Sequence, residues 1–171
     1  MRNCGVLLLA ACVVVAGCDD SPSSPSDQPV VLRATLSAAN EVPPVTGAES
    51  TGTGTATITF NVTRDSANAI TAGTADFSVQ LANLPSGSTV TLAHIHTGAA
   101  GANGNILVDT GLTPVSPITI GAAGTGTITR TGVAVATGAT IQSIIDNPAG
   151  FYFNVHTALN PGGAVRGQLT R

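Results

Sequence analysis

The chain has three histidines, and all of them fall in two short motifs, Ala93-His94-Ile95-His96 and Phe153-Asn154-Val155-His156-Thr157. Both motifs read as extended segments. A strand alternates its side chains, so His94 and His96 leave one face while Ile95 leaves the other. If the strand bearing His156 lies beside the first, three neutral imidazoles converge on one spot. Three protein ligands with an open position make a metal site able to bind a further ligand. Imidazoles without thiolates suit copper, with zinc as the alternative, better than magnesium or calcium. Each ring also needs an acceptor for its other N–H, which a backbone carbonyl can supply without leaving a trace in the sequence. The competing reading is three ordinary, partly buried imidazoles satisfied by backbone carbonyls.

The elements that would position these rings are extended throughout. Residues 30–39 form a first extended run, which Glu41-Val42-Pro43-Pro44 ends, because paired prolines cannot continue a ladder. Residues 51–62 alternate with period two, with Ile58, Phe60 and Val62 in phase; residues 75–81 do the same with Phe77, Val79 and Leu81. Further strands are expected at residues 90–97, 105–109, 118–129, 151–157 and 164–169. Gly98, Gly101 and Gly104 mark a turn region; with no lysine and no following helix they do not form a phosphate loop. The stretch Gly124-Thr125-Gly126-Thr127 echoes Gly52-Thr53-Gly54-Thr55 and suggests two similar strands. One short helix is expected over residues 140–147, capped by Thr140 and stopped by Pro148. About eight short strands with regularly spaced turns predict an all-β, antiparallel Greek-key sandwich or barrel with at most one short helix.

The first residues are of a different kind. Met1, Arg2 and Asn3 precede an apolar run too short to span a bilayer comfortably, which reads as a signal-peptide core. It ends in Val15-Ala16-Gly17-Cys18, which resembles a bacterial lipobox. That resemblance implies cleavage before Cys18 and lipid on its sulfur and new amino group, enough acyl chain for stable anchoring. The expected organisation is a signal peptide over residues 1–17, a lipid-anchored Ser/Pro-rich tether over 18–29, and one domain over 30–171. The expected location is the bacterial cell envelope, facing the periplasm or the cell surface. With Cys4 and Cys12 removed and Cys18 lipidated, the domain holds no thiol, so disulfides, thiolate metal sites and a cysteine nucleophile are excluded.

Composition excludes more. Charged residues make up 9% of the chain and aromatics 3%, with no Trp. The arginines left after cleavage are Arg33, Arg64, Arg130, Arg166 and Arg171, and there is no basic patch to hold nucleic acid. No Ser-His-Asp arrangement has a recognisable context, and Glu41 and Glu49 fall in a loop rather than forming a glycosidase pair. Arg166 is expected as a surface charge or a structural partner of Asp109 or Asp146.

Four motifs carry a family resemblance: Leu36-Ser37-Ala38-Ala39-Asn40-Glu41-Val42-Pro43-Pro44; Ala93-His94-Ile95-His96-Thr97-Gly98; Asn154-Val155-His156-Thr157; and Pro161-Gly162-Gly163 followed by Arg166-Gly167-Gln168-Leu169. In this order they resemble the chordin-type (CHRD) domain from about Leu32 to Leu169. One departure is Ala164, where the family usually has an acidic residue. The resemblance implies a β fold and an extracellular or envelope setting more firmly than an activity. The His-x-His, Val-His and Gly-x-x-Arg-Gly order is also similar, more weakly, to copper-zinc superoxide dismutases. That likeness implies His94, His96 and His156 as copper ligands and Arg166 as a nearby cation attracting an anion. The bridging histidine and zinc ligands of those enzymes have no counterpart here, so only a mononuclear site is implied.

Two function classes follow. One is a lipid-anchored metal-binding domain, with copper serving storage, tolerance or weak redox chemistry. The other is a metal-free interaction module binding a protein or glycan partner. Dismutation of superoxide stands third, behind both non-enzymatic readings.

Overall fold

The computed structural model describes Met1 and residues 27–171. The expected signal peptide and Cys18 lie outside the described residues. Nine strands follow in chain order: β1 (Val30–Ser37), β2 (Thr53–Arg64), β3 (Ile70–Ala82), β4 (Thr89–Thr97), β5 (Ile106–Asp109), β6 (Ile118–Thr119), β7 (Gly126–Ala134), β8 (Phe151–Thr157) and β9 (Val165–Gln168). Among the described residues one α-helix, α1 (Gly138–Asp146), lies between β7 and β8.

All strand pairs are antiparallel, in the order β5-β4-β8-β9-β1-β2-β3-β7, with β6 added to β4. The chain builds the β1-β2-β3 meander, crosses to β4, returns to β7 beside β3, and crosses again to β8 beside β4. The sheet curls nearly into a barrel. Phe77 of β3 stacks on Phe153 of β8 at 5.8 Å between ring centroids, although β9, β1 and β2 stand between those strands in the sheet. Such a contact is possible only when the sheet folds over its own core.

On β2 and β3 the pattern is the one the sequence predicts, and β1 shows the same alternation. Leu32, Ala34 and Leu36 point inward, as do Ala56, Ile58, Phe60 and Val62, and then Ala75, Phe77, Val79 and Leu81, while Thr and other polar residues between them face water. Period two puts one side of each strand in the core and leaves the other wet. The Gly-Thr echo marks two strands that flank β3, since Gly54 and Gly126 both pair with Leu81, one from each side.

Two expectations change in detail. The run over residues 118–129 is not one strand. It breaks at a turn in which Gly124 N–H donates to Gly121 C=O and Gly124 takes φ +73°, a left-handed conformation that glycine tolerates at little cost. The helix starts earlier than expected, because its cap is Thr137 and not Thr140: the Thr137 hydroxyl accepts the Thr140 N–H at 3.1 Å. Its buried Ile141, Ile144 and Ile145 follow i, i+3, i+4 spacing and pack toward the barrel.

Strands β4, β8 and β9 depart from one-sided burial. Nearly every residue of β8 is buried, and so are Ala93, His94, Ile95 and His96 of β4. Ala93, Ile95, Phe153, Val155 and Val165 fill the barrel. Their alternates, His94, His96, Tyr152, Asn154, His156 and Arg166, form a second buried layer on the outer face. This polar layer is where the chemistry of the chain is concentrated.

Candidate metal centre

Register assembles the outer layer. His94 of β4 stands opposite Asn154 of β8, which stands opposite Arg166 of β9; His96 stands opposite Tyr152, which stands opposite Gln168. Directly opposed residues share a face, so two ligands from β4 and one from β8 meet without any unusual backbone. One donor nitrogen from each of His94, His96 and His156 lies within 4.8 Å of the others.

The hydrogen bonds around the rings fix which nitrogens are free. His96 Nδ1 lies 3.1 Å from the Gly104 carbonyl, and His156 Nδ1 lies 3.0 Å from the Pro161 carbonyl. A carbonyl oxygen only accepts, so each Nδ1 carries the proton and each Nε2 presents a lone pair. His94 is turned the other way. Its Nε2 faces the Asp109 carboxylate at 3.8 Å, beyond hydrogen-bond distance, and its Nδ1 is turned toward His156. That Nδ1 lies 3.3 Å from His156 Nε2.

Because His156 holds its proton on Nδ1, its Nε2 accepts from His94 Nδ1–H in the metal-free protein, and a bound ion would take the place of that proton. Donors bound tetrahedrally to one metal at about 2.0–2.1 Å stand roughly 3.3–3.4 Å apart, so the His94–His156 spacing already fits a shared ion. His96 Nε2 is buried and has no hydrogen-bond partner at all. A buried acceptor left unmet costs about 1–3 kcal/mol, and a metal would satisfy it. The donor set, three imidazoles without sulfur, fits copper or zinc. His94, His96 and His156 would hold the ion, and the two backbone carbonyls would orient two of its ligands.

Burial keeps the rings neutral. Desolvation, with the neighbouring His156 adding to it, lowers the His94 pKa to about 4. Desolvation also lowers His96 and His156, against the opposing pull of their carbonyl partners. Neutral rings at physiological pH are ready ligands, since protons do not compete for their lone pairs.

Arg166 sits elsewhere than expected. It is 1% exposed, so it is not a surface charge, and neither Asp109 nor Asp146 pairs with it. Its Nη1 donates to Asn103 Oδ1 at 2.8 Å and its Nη2 to the Ala102 carbonyl at 2.9 Å. Its guanidinium lies 4.0 Å from the centre of the Tyr152 ring, and Tyr152 in turn stacks on His96 at 4.9 Å and 6°. Tyr152 lies between the two, so Arg166 reaches His96 through that ring and through its charge, which helps hold the imidazole neutral. The correction has a plain cause: β9 lies against the face that two loops cover, and a guanidinium there must find partners inside the protein. Asn103 also ties the loops together, donating from Nδ2 to the Val42 carbonyl at 2.8 Å.

Glu41 belongs to the same layer. Burial raises its pKa to about 7, against the pull of Arg166 and a hydrogen bond from Asn154. The glycine at 163 is needed for this closeness: it has φ +141°, and a Cβ there would lie 2.6 Å from Glu41 Oε2.

These shifts oppose one another in stability. His94, with its folded pKa depressed, binds fewer protons folded than unfolded between about pH 4 and 6.5. It therefore contributes stability above pH 6.5 that is lost as pH falls through that window. Glu41, with its folded pKa raised, contributes stability below pH 4.5 that is lost as pH rises through about 7. Between pH 7 and 5 each is worth about 2 kcal/mol, with opposite sign. We expect metal-free Glu41→Gln protein to lose stability more steeply from pH 7 to 5 than wild type, measured by urea denaturation at both values. Equal slopes would mean that Glu41 does not take up a proton in that range.

Sequence reading missed several members of this site. Tyr152 and Asn154 were accessible in principle, because they alternate with Phe153 and Val155 in phase with His156. The Gly104 and Pro161 carbonyls and Asn103 leave no such signal, since their roles depend on how loops fall across the sheet.

A family model for the CHRD domain matches residues 32–169. The chain belongs to the CHRD-domain family. No curated protein and no solved structure matches it. The matched region spans β1 to β9, so the CHRD domain here includes the barrel, both covering loops and all three histidines. Ala164, which departs from the usual CHRD pattern, is fully buried and donates its N–H to the Val155 carbonyl.

Proposed function

We propose that this CHRD protein is a lipid-anchored, mononuclear copper-binding protein of the bacterial envelope, held to the membrane through Cys18. The observation that carries the reading is the buried, unpartnered Nε2 of His96, facing the paired donors of His94 and His156. The three imidazoles converge, are held neutral by burial, and include one buried nitrogen, His96 Nε2, with no partner among the described residues. Zinc is the alternative occupant. Copper in such a site can shuttle between two oxidation states, which suits storage, tolerance or modest redox chemistry.

The protein's part is to hold the rings and exclude competitors. The Gly104 and Pro161 carbonyls set two tautomers, Asp109 places a negative charge beside His94 Nε2, and burial keeps protons away. The absence of sulfur ligands places the site away from the thiolate-rich class.

The test is titration of the mature protein with Cu(II), Cu(I) and Zn(II) by calorimetry, with melting followed in parallel. We expect one equivalent to bind, and at a hundredfold excess over Kd a gain of about 2.7 kcal/mol, seen as a rise in Tm of roughly 5–10 °C. Absence of saturable binding would defeat the reading and leave the metal-free interaction module as the function to pursue.

A further inference from the structure

Glu49 lies far from the histidines in sequence. It ends a short 3-10 turn, Gly47–Glu49, before β2 and is 1% exposed. No arginine pairs with it among the described residues. Its Oε2 instead accepts two short hydrogen bonds, one from Thr157 Oγ1 and one from Asn160 Nδ2, both at 2.6 Å. Its Oε1 is buried without a partner. A carboxylate hidden at this cost and spent on two donors of one short loop calls for a reason.

The loop it grips supplies one. Thr157 follows His156 directly, and Asn160 precedes Pro161, whose carbonyl accepts the His156 Nδ1 proton. Within the loop, Asn160 N–H donates to Thr157 Oγ1 at 3.0 Å, and Thr157 N–H donates to the Asn160 carbonyl at 3.3 Å. Glu49 thus closes both ends of the turn that carries the acceptor for His156. Without it, Asn160 keeps a backbone tie but loses the side-chain anchor that fixes where the Pro161 carbonyl points. Pro161 has no N–H of its own with which to hold the turn.

We infer that Glu49 is a positioning residue for the metal centre: by pinning the 157–161 turn it fixes the Nδ1-protonated tautomer of His156 and so the direction of the Nε2 lone pair. The inference rests on the copper-site reading for its purpose, but its mechanism concerns the metal-free ring and can be tested there. Outer partners of metal-ligating histidines typically affect metal affinity by 10–100-fold; Glu49 acts one step further out, through the turn.

The experiment compares wild type, Glu49→Ala and Glu49→Gln as mature proteins. In metal-free samples, long-range proton–nitrogen correlation NMR reads the His156 tautomer. We expect a single Nδ1–H form in wild type and in Glu49→Gln, whose amide oxygen can accept in place of Oε2, and a tautomer mixture in Glu49→Ala. Copper titration of the same samples should show affinity lowered about tenfold or more in Glu49→Ala, with Glu49→Gln within about threefold of wild type. A pure fold-stabilising role predicts lowered Tm with unchanged tautomer and unchanged copper affinity, and that result would overturn the inference. Loss in Glu49→Gln equal to that in Glu49→Ala would also overturn it, since charge and not the pinned turn would then be responsible. If Glu49→Ala does not fold, Asn160→Ala breaks the same link from the loop side and is read by the same two measurements. Should wild type bind no copper, the metal reading fails, while the tautomer result still decides the role of Glu49.

Discussion

His96→Ala should eliminate tight, one-to-one copper binding while leaving the barrel intact. His96 supplies the donor with no other partner, and its removal leaves His94 and His156 as a two-ligand fragment. Changing an outer partner of a ligating histidine costs about 10–100-fold in affinity, so deleting a ligand should cost more than that upper figure. The fold should survive because the imidazole lies outside the apolar interior: it packs on Tyr152 and on one loop carbonyl, and Ile95 on the other face of β4 is untouched. Truncation also removes the unmet Nε2, which offsets part of the lost packing. Calorimetric titration beside a circular-dichroism melt separates the outcomes. Unchanged binding with a normal melt would mean that copper, if it binds, uses other groups, and the three-histidine centre would have to be abandoned.

Arg166→Ala should be the most destabilising single change in the outer layer. It leaves Asn103 Oδ1 and the Ala102 carbonyl without their donor, strips the cation from the face of Tyr152, and removes the positive charge opposing the buried Glu41 carboxyl. Removing one member of a buried charged network costs about 3–5 kcal/mol. In a domain of this size that corresponds to a fall in Tm of roughly 10–15 °C. Arg166→Lys should recover little, because an ammonium can neither stack flat on Tyr152 nor donate along two directions in one plane. Urea and thermal denaturation of the metal-free protein check both variants. A loss below about 1 kcal/mol for Arg166→Ala would show that water replaces the guanidinium readily and that the covering loops are not held by it. Copper affinity should fall less in Arg166→Ala than in His96→Ala, since Arg166 acts on the centre through the Tyr152 ring and its charge, whereas His96 supplies a donor.

The two variants probe different layers of one design. The inner face of β4, β8 and β9 belongs to the hydrophobic core, where volume and pattern decide stability. The outer face is polar and buried, so each group must find a named partner or lose its place. The partners come from loops: one carries Glu41 and Val42, a second Ala102, Asn103 and Gly104, and the turn after β8 supplies the Pro161 carbonyl. Residues that look ordinary in sequence, such as Asn103, become structural because they join those loops to each other and to Arg166.

The sequence by itself determined the β class, the inward Ile58, Phe60 and Val62 of β2 and Phe77, Val79 and Leu81 of β3, and the shared face of His94 and His96. Each follows from a period of two, which is a property of neighbouring residues along one strand. It also carried the four CHRD motifs in order, and the family model covers the same stretch. What it left open is long-range. Only the tertiary structure put His156 opposite Leu92 and within 3.3 Å of His94, because register between β4 and β8 depends on the turns and on core packing across the whole barrel. Only the tertiary structure buried Arg166, since a strand's second face is wet or dry according to what folds over it, and here two loops do. The helix cap is Thr137, three residues before the expected Thr140, and Gly138 packs so closely on the Ile70 carbonyl that a Cβ would not fit there. Glu49 shows the limit most clearly. A carboxylate in a loop has no periodicity to read, and its partners Thr157 and Asn160 stand more than a hundred residues away, joined to it by nothing but the closure of the barrel.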